Sequence, residues 1–353
     1  MNLTQLGWNE SFNQDFLSYQ KEGYTVGRVA LEHKRIYRVL TEHGELLSEI
    51  TGKMRHDAIE REDFPAVGDW VVISPRVTEQ KASIHAVLKR KSKFSRKRAG
   101  NTTEEQIVAA NVDTIFIVNA LNTDFNLRRI ERYLLLAWES GANPVIILSK
   151  ADLCGDVMSK IEEVESIAMG VPIHAISAES GTGLDELATY LQEGNTVALL
   201  GSSGVGKSTL TNALYGEYKQ EVNTIREDDD KGRHTTTHRE LVLLPSGGLL
   251  IDTPGMRELQ LWEADEGLSH SFSDIEELTT QCRFRDCKHK GEPGCAIKQH
   301  LDDGSLDASR YQSYMKLQKE LAFLARKENQ RAALAEKAKW KKLAGDRTKF
   351  NRK

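Results

Sequence analysis

The sequence predicts a multidomain α/β protein: a small N-terminal β-barrel, then a doubly wound parallel sheet, then a mainly helical domain stapled by a metal. Three observations carry this prediction. Short strands broken by turn residues run from about Gly23 to Leu88, continuous apolar runs alternate with helix-like stretches from roughly 105 to 260, and a cysteine-histidine cluster lies beyond Leu261. With 353 residues, 39% hydrophobic and 28% charged, the chain is long enough for two or three globular domains and is not of disordered composition.

In the first region Thr25–Val29, Ile36–Leu40 and Asp69–Ile73 read as strands. About five strands in about seventy residues fit an oligonucleotide-binding (OB) type of barrel, and spacing alone leaves an SH3-like barrel open. In the middle region Asp113–Asn119, Pro144–Leu148, Thr196–Leu200 and Gly248–Asp252 are unbroken apolar runs, as expected of strands covered on both faces. The stretches Arg128–Ser140 and Met158–Ala168 between them are helical in pattern. Beyond Leu261, Ser273–Leu278 and the long stretch Ala308–Ala344 read as helices, the latter with Tyr314, Leu317, Leu321 and Leu324 on one face. The expected division is 1–98 for the N-terminal segment, barrel and a basic linker, 99–262 for the α/β domain, and 263–353 for the helical domain with a basic tail.

Cysteine and charge usage narrow the setting. Four cysteines are too few for a disulfide scaffold, and Cys282, Cys287 and Cys295 share one short window, which points to a metal in a reducing compartment. Cys154 stands apart and reads as an ordinary buried thiol. The first thirty residues lack a basic start followed by an apolar run, and no apolar stretch approaches the eighteen residues of a membrane span, so a cytoplasmic location is expected. Net charge is -4, yet Lys89–Arg98 and the tail residues Lys337, Lys339, Lys341, Lys342, Arg347, Lys349, Arg352 and Lys353 are strongly basic.

Gly201-Ser202-Ser203-Gly204-Val205-Gly206-Lys207-Ser208-Thr209 follows the strand Val197–Leu200 and opens a helix at Leu210–Tyr215, the setting of a phosphate-binding loop. Its glycines let backbone N–H groups turn onto phosphates, at a helix N-terminus that adds partial positive charge. Lys207 would reach the β- and γ-phosphates, and Ser208 would hold Mg²⁺. Asp252-Thr253-Pro254-Gly255 ends the next buried strand, where a carboxylate meets Mg²⁺ through water and the Gly255 N–H meets the γ-phosphate. Between them Gly232-Arg233-His234-Thr235-Thr236-Thr237 reads as a switch segment, with Thr236 the first choice for a Mg²⁺ ligand and Thr237 the second.

Base choice is assigned to residues earlier in the chain. Ser149-Lys150-Ala151-Asp152 leaves the strand Val145–Leu148, and a carboxylate there accepts the ring N–H and exocyclic amine of guanine, a donor pair that adenine lacks. Ser177 and Ala178, after Ile173–Ile176, would add backbone contacts to the guanine carbonyl. Both motifs leave predicted strands at the carboxyl ends, where open α/β sheets bind ligands.

Base motifs first, phosphate loop next, switch and Asp252–Gly255 last is the reverse of the common GTPase order, so the chain resembles the circularly permuted GTPases. The preceding barrel, the Gly232–Thr237 string and the terminal cysteine-histidine knuckle resemble the ribosome small-subunit-dependent GTPase A family. That resemblance covers roughly residues 25 to 320. It implies an N-terminal OB-type β-barrel, a central circularly permuted P-loop GTPase domain and a C-terminal mainly helical zinc-binding domain. It also implies a GTPase of late small-subunit assembly, slow alone and stimulated by the subunit and its rRNA. Two positions depart from GTPases in general. Ser149 replaces asparagine, which is expected to weaken contacts to the base and to the phosphate loop. Met256 replaces the water-orienting glutamine, which leaves His234 as the candidate to place the attacking water, with a loop-structural or RNA-contacting role as the alternative.

Cys282-x4-Cys287-x-His289-x5-Cys295 supplies three thiolates and one imidazole, a donor set that closes a tetrahedral zinc shell with no open position for catalysis. Arg28, Arg35, Arg38, Lys89–Arg98 and the tail lysines are the expected phosphate contacts to RNA. The chain is expected to act as a monomer on GTP and GDP. Two rival classes stay open at this stage, a nucleotide-loaded metal-delivery protein and a small-molecule phosphotransferase.

Overall fold

The computed structural model describes residues 2–58, 61–97, 105–216, 239–252, 265–323 and 325–326. The chain divides into two compact units, Met1–Gln260 and Leu261–Lys353.

The first unit begins with helix α1 (Glu10–Gln20), whose cap Asn9 accepts from the Phe12 N–H. It lays Phe12 and Phe16 against a barrel of β1 (Thr25–His33), β2 (Ile36–Thr41), β3 (Gly44–Ile50), β4 (Trp70–Arg76) and β5 (Lys81–Val87), with the short helix α2 (Gly52–Asp57) after β3. The strands pair in the order β1-β2-β3-β5-β4, and β4 returns to β1, so the barrel closes in the OB-type manner. Only β3 and β5 run parallel among these neighbours. Alternation decides which side chains fill it: in β3 Leu46 and Ile50 point inward beside Val29, Tyr37, Val39, Val71, Ile73 and Ile84, while Leu47 lies half in solvent. At Gly27 a Cβ would stand 2.4 Å from Val39 Cγ1, so strand crossing at that point requires glycine.

Part of the basic run read as a linker is strand. β6 (Lys93–Lys97) pairs antiparallel with β7 (Glu105–Ala110) in a two-stranded ribbon. Charge density masked an alternation in which Phe94 is buried and Lys93 is not. Arg90, also in that run, is bound to the fully buried Asp69 carboxylate at 2.7 and 2.8 Å.

Arg28 overturns its sequence expectation as a phosphate contact. It is 1% exposed and donates to Gly68 O (3.1 Å), Leu6 O (2.5 Å) and Asn111 O (3.0 Å), with its guanidinium over the Trp70 ring. Burial pushes its pKa down from 12.5 to about 10 against the pull of Asp113 and Asp69, a cost set against three carbonyls satisfied at once. Arg38 is half-buried and paired with Glu45 and Glu240, whereas Arg35 is exposed in the β1–β2 turn.

The central sheet contains β8 (Thr114–Ala120), β9 (Asn143–Ser149), β10 (Ile173–Ala175), β11 (Thr196–Leu200), β12 (Glu240–Leu243) and β13 (Leu249–Asp252), ordered β10-β9-β8-β11-β13-β12. All neighbours run parallel except β12 and β13. Every residue of β8 and β11 is buried, which is why these runs lack alternation. Helices α3 (Leu127–Glu139), α4 (Val157–Glu165) and α5 (Lys207–Tyr215) lie within this region; Asn126 caps α3 and Asp156 caps α4. A bridge between Leu31 of β1 and Glu240 of β12 joins barrel and central sheet into one eleven-stranded hydrogen-bonded sheet. Ala110 N–H donates to Val67 O at 2.9 Å, and a Cβ on Gly68 would sit 2.1 Å from Ala110 O, so the backbones meet where no side chain fits.

In the second unit, α6 (Asp265–Ser271), α7 (Ser273–Thr280), α8 (Ala296–Asp302) and a helix α9 over 308–323 enclose Phe272, Ile275, Ile297, Tyr314, Leu317 and Leu321. Leu324 lies outside the described residues. Arg310 pins α9 to α7 through Asp274, at 2.7 and 2.8 Å. No helix among the described residues is long and apolar enough to cross a membrane.

Candidate active site and metal centre

The loop Gly201–Gly206 joins β11 to α5 and is anchored from below by Val205, which is 1% exposed in the central core. Gly204 and Gly206 have φ of 84° and 96°, and a Cβ on Gly201 would lie 2.4 Å from Val118 O. The glycines of the sequence pattern are thus required by backbone geometry. Lys207 starts α5, is 9% exposed, and donates from Nζ to Gly201 O and Ser202 O, each at 2.7 Å. Burial lowers its pKa, and the Asp252 carboxylate at the end of β13 opposes the shift. Ser203, Ser208 and Thr209 are exposed around this amine.

The residues expected to choose the base meet this loop. Ser149, at the end of β9 and 3% exposed, donates from Oγ to Val205 O at 2.6 Å. The contact to the loop that serine is expected to weaken is present as this single hydrogen bond, because β9 and the loop lie close enough for one hydroxyl. Lys150, in a left-handed conformation at φ 58°, donates from Nζ to Gly204 O at 2.8 Å. Asp152 follows in an exposed one-turn helix, Ala151–Leu153, with its carboxylate open to a ligand. Ala151 N–H donates to Ile176 O at 3.0 Å, which places the Ser177–Ala178 turn beside the Asp152 turn. Ser177 is buried, and its Oγ and carbonyl accept from Ser180 N–H and Gly181 N–H, so the turn is rigid. His234, Thr236, Thr237, Gly255 and Met256 lie outside the described residues. Cys154, expected to be buried, is half-buried.

Sequence reading missed two residues. Asp124, after β8, and Arg129, in the first turn of α3, both bond Ser202 Oγ at 2.9 Å. The available signal was position: Asn122–Asn126 leaves the same carboxyl edge of the sheet as the other motifs.

In the second unit the ligand atoms of Cys282, Cys287, His289 and Cys295 all lie within 4.8 Å of one another. His289 Nδ1 is 3.5 Å from Cys282 Sγ and from Cys295 Sγ. Cys287 receives a lowering hydrogen bond from the His289 N–H, but burial and the neighbouring thiols outweigh it and push its pKa up to about 11. Four donor atoms brought this close together can hold a metal ion.

A loop of phosphate-binding pattern that follows in the chain the residues expected to select the base, yet shares one sheet edge with them, is the arrangement of a circularly permuted GTPase. A family profile described as RsgA GTPase matches residues 87–262. The chain is 48% identical to the small ribosomal subunit biogenesis GTPase RsgA 1 of Oceanobacillus iheyensis, covering 98% of both chains. It is 47% identical to the RsgA of Opitutus terrae, over 97% of this chain and 96% of that one. Among solved structures it is similar to YjeQ from Thermotoga maritima, with a TM-score of 0.62, 31% identity, and coverage of 85% of this chain and 99% of the other. It is also similar to YloQ, described as a circularly permuted GTPase, with a TM-score of 0.61, 26% identity and coverage of 85% and 95%. The chain belongs to the RsgA GTPase family and is a GTP hydrolase.

Proposed function

We propose that this hydrolase acts in late maturation of the small ribosomal subunit, binds the subunit's rRNA, is stimulated by it, and uses GTP hydrolysis to time its release. The observation that carries the reading is the extent of the likeness. Similarity to relatives named for small-subunit biogenesis runs through 98% of the chain and so includes the barrel and knuckle as well as the hydrolase. Barrel and basic segment (1–98), hydrolase (99–262) and knuckle with tail (263–353) are the three working parts of this proposal, in a cytoplasmic monomer.

Within the site, Asp152 selects guanine with support from Ser177 and Ala178, while Ser149 and Lys150 brace the loop. The loop N–H groups of Gly201–Thr209 cradle the phosphates, and Lys207 neutralises the β- and γ-phosphates. Ser208 and Thr236, with Asp252, would hold the Mg²⁺ that accompanies GTP, which would neutralise phosphate charge, and Thr237 and Gly255 would complete the γ-phosphate side. His234 orients the attacking water, the task of the glutamine that Met256 replaces. Three thiolates and one imidazole suit zinc in a closed structural shell, held by Cys282, Cys287, His289 and Cys295. The test is multiple-turnover GTP hydrolysis with and without purified small ribosomal subunits, with ATP as control. Subunits are expected to accelerate GTP turnover only. Equal rates with and without subunits would remove the partner from this reading and leave the hydrolase intact.

A further inference from the structure

A contact to the phosphate loop comes from a segment that no nucleotide motif marks. Arg129 Nη1 donates to Asp124 Oδ2 at 2.6 Å and to Ser202 Oγ at 2.9 Å. Ser202 Oγ donates to the same Asp124 Oδ2 at 2.9 Å, so its hydroxyl is held on both its donor and its acceptor side by one ion pair. Asn126, the cap of α3, accepts from the Arg129 N–H at 3.0 Å and sets where that arginine starts. On its main chain, Ser202 presents the carbonyl that, with Gly201 O, accepts from Lys207 Nζ. One residue thus carries the ion pair on its side chain and the lysine on its backbone.

We propose that Asp124 and Arg129 are positioning residues for the phosphate groups of GTP, acting through Ser202 to fix the carbonyls that aim the Lys207 amine. This rests on the reading of Gly201–Thr209 as the phosphate loop. Neither residue is assigned a contact with the nucleotide. The Arg129 hydrogen bond holds the Asp124 carboxyl below its ordinary pKa, and the Ser202 hydroxyl adds to this, so the pair stays charged across the assay range. Asp124 is 40% and Arg129 28% exposed, and ion pairs so exposed contribute little to stability. Their removal therefore separates a positioning role, read in ligand affinity, from a structural one, read in melting temperature.

The test uses the full-length protein with Arg129→Ala, Asp124→Asn and Ser202→Ala, competing GTP, GDP and GMP against fluorescent GDP. GTP and GDP are expected to bind about tenfold more weakly, with GMP, which lacks the β-phosphate, unchanged. The melting temperature stays that of the parent. Arg129→Ala combined with Ser202→Ala weakens GTP no further than either alone, because both remove one path. Arg129→Lys, whose ammonium can bridge the same two oxygens, restores part of the affinity. GTP and GDP affinities unchanged in all three variants, or an equal loss for GMP together with a fall in melting temperature, overturn the proposal. Ser202→Ala deletes a single oxygen and decides the matter should Arg129→Ala not fold. Lys207→Ala runs alongside: loss of GTP there with none at Arg129 defeats only the positioning role, whereas no loss at Lys207 defeats the phosphate-loop reading beneath it.

Discussion

Replacing Ser149 by alanine tests how the base-side residues govern the loop. The substitution removes one hydroxyl at a 3% exposed position and introduces nothing. Its 2.6 Å bond to Val205 O is the strong one, the approach to Asn119 O at 3.4 Å being marginal. Val205 is 1% exposed, so its carbonyl gains no ready replacement from solvent. A buried acceptor left without its donor costs about 1–3 kcal/mol. Lys150 still holds Gly204 O, so the loop survives but is less often in its binding form. Apparent affinity falls by the fraction of loops that remain competent, so about 2 kcal/mol corresponds to a loss of roughly 30-fold and about 3 kcal/mol sets a ceiling of roughly 160-fold. The assay is the equilibrium Kd of a fluorescent GDP analogue, with the melting temperature followed on the same samples. Ser149→Thr, which keeps a hydroxyl, serves as the control and should bind nearly as the parent does. A Kd within twofold of the parent for Ser149→Ala, at an unchanged melting temperature, would refute the claim that this hydroxyl organises the loop.

Three further outcomes are expected. Asp152→Asn replaces an acceptor with a donor facing guanine, so GTP affinity should drop about 100-fold or more while xanthosine triphosphate, with a carbonyl in place of the amine, gains; unchanged GTP preference in competition assays would move base selection elsewhere. Cys282→Ser, or a strong chelator, should release one metal ion and unfold the second unit, seen as helix loss by circular dichroism with the first unit's melting preserved. Arg28→Ala should leave the salt dependence of RNA binding untouched and destabilise the first unit by about 2–4 kcal/mol, because buried carbonyls lose their donor. A changed salt slope would return Arg28 to the RNA surface.

The nucleotide loop, the buried strands and the cysteine knuckle were legible because each is a local signal: contiguous glycines, unbroken apolar runs, ligands within fourteen positions of one another. What escaped depends on chain distance. Ser202 and its partners Asp124 and Arg129 are 78 and 73 residues apart, and no spacing rule links them. Arg28 reads as a surface base because charge is normally solvated; only the arrival of three carbonyls from residues 22, 40 and 83 positions away makes its burial tolerable. The reach of Ser149 to Val205 O is hidden for a related reason, since sequence names the side chain but not the distance it has to span.

The bridge between Leu31 and Glu240 bears on how the chain can be shortened. Composition suggests that the barrel is a cassette that could be trimmed away at the basic run. Trimming there would remove the bridge at Glu240, the one point among the described residues where β1 pairs with β12, and so extend the bare strand edge, the kind of surface on which separate chains stack. It would also take away the guanidinium that occupies Asn111 O and the backbone that Ala110 leans on. A free-standing catalytic fragment made in this way inherits an open seam.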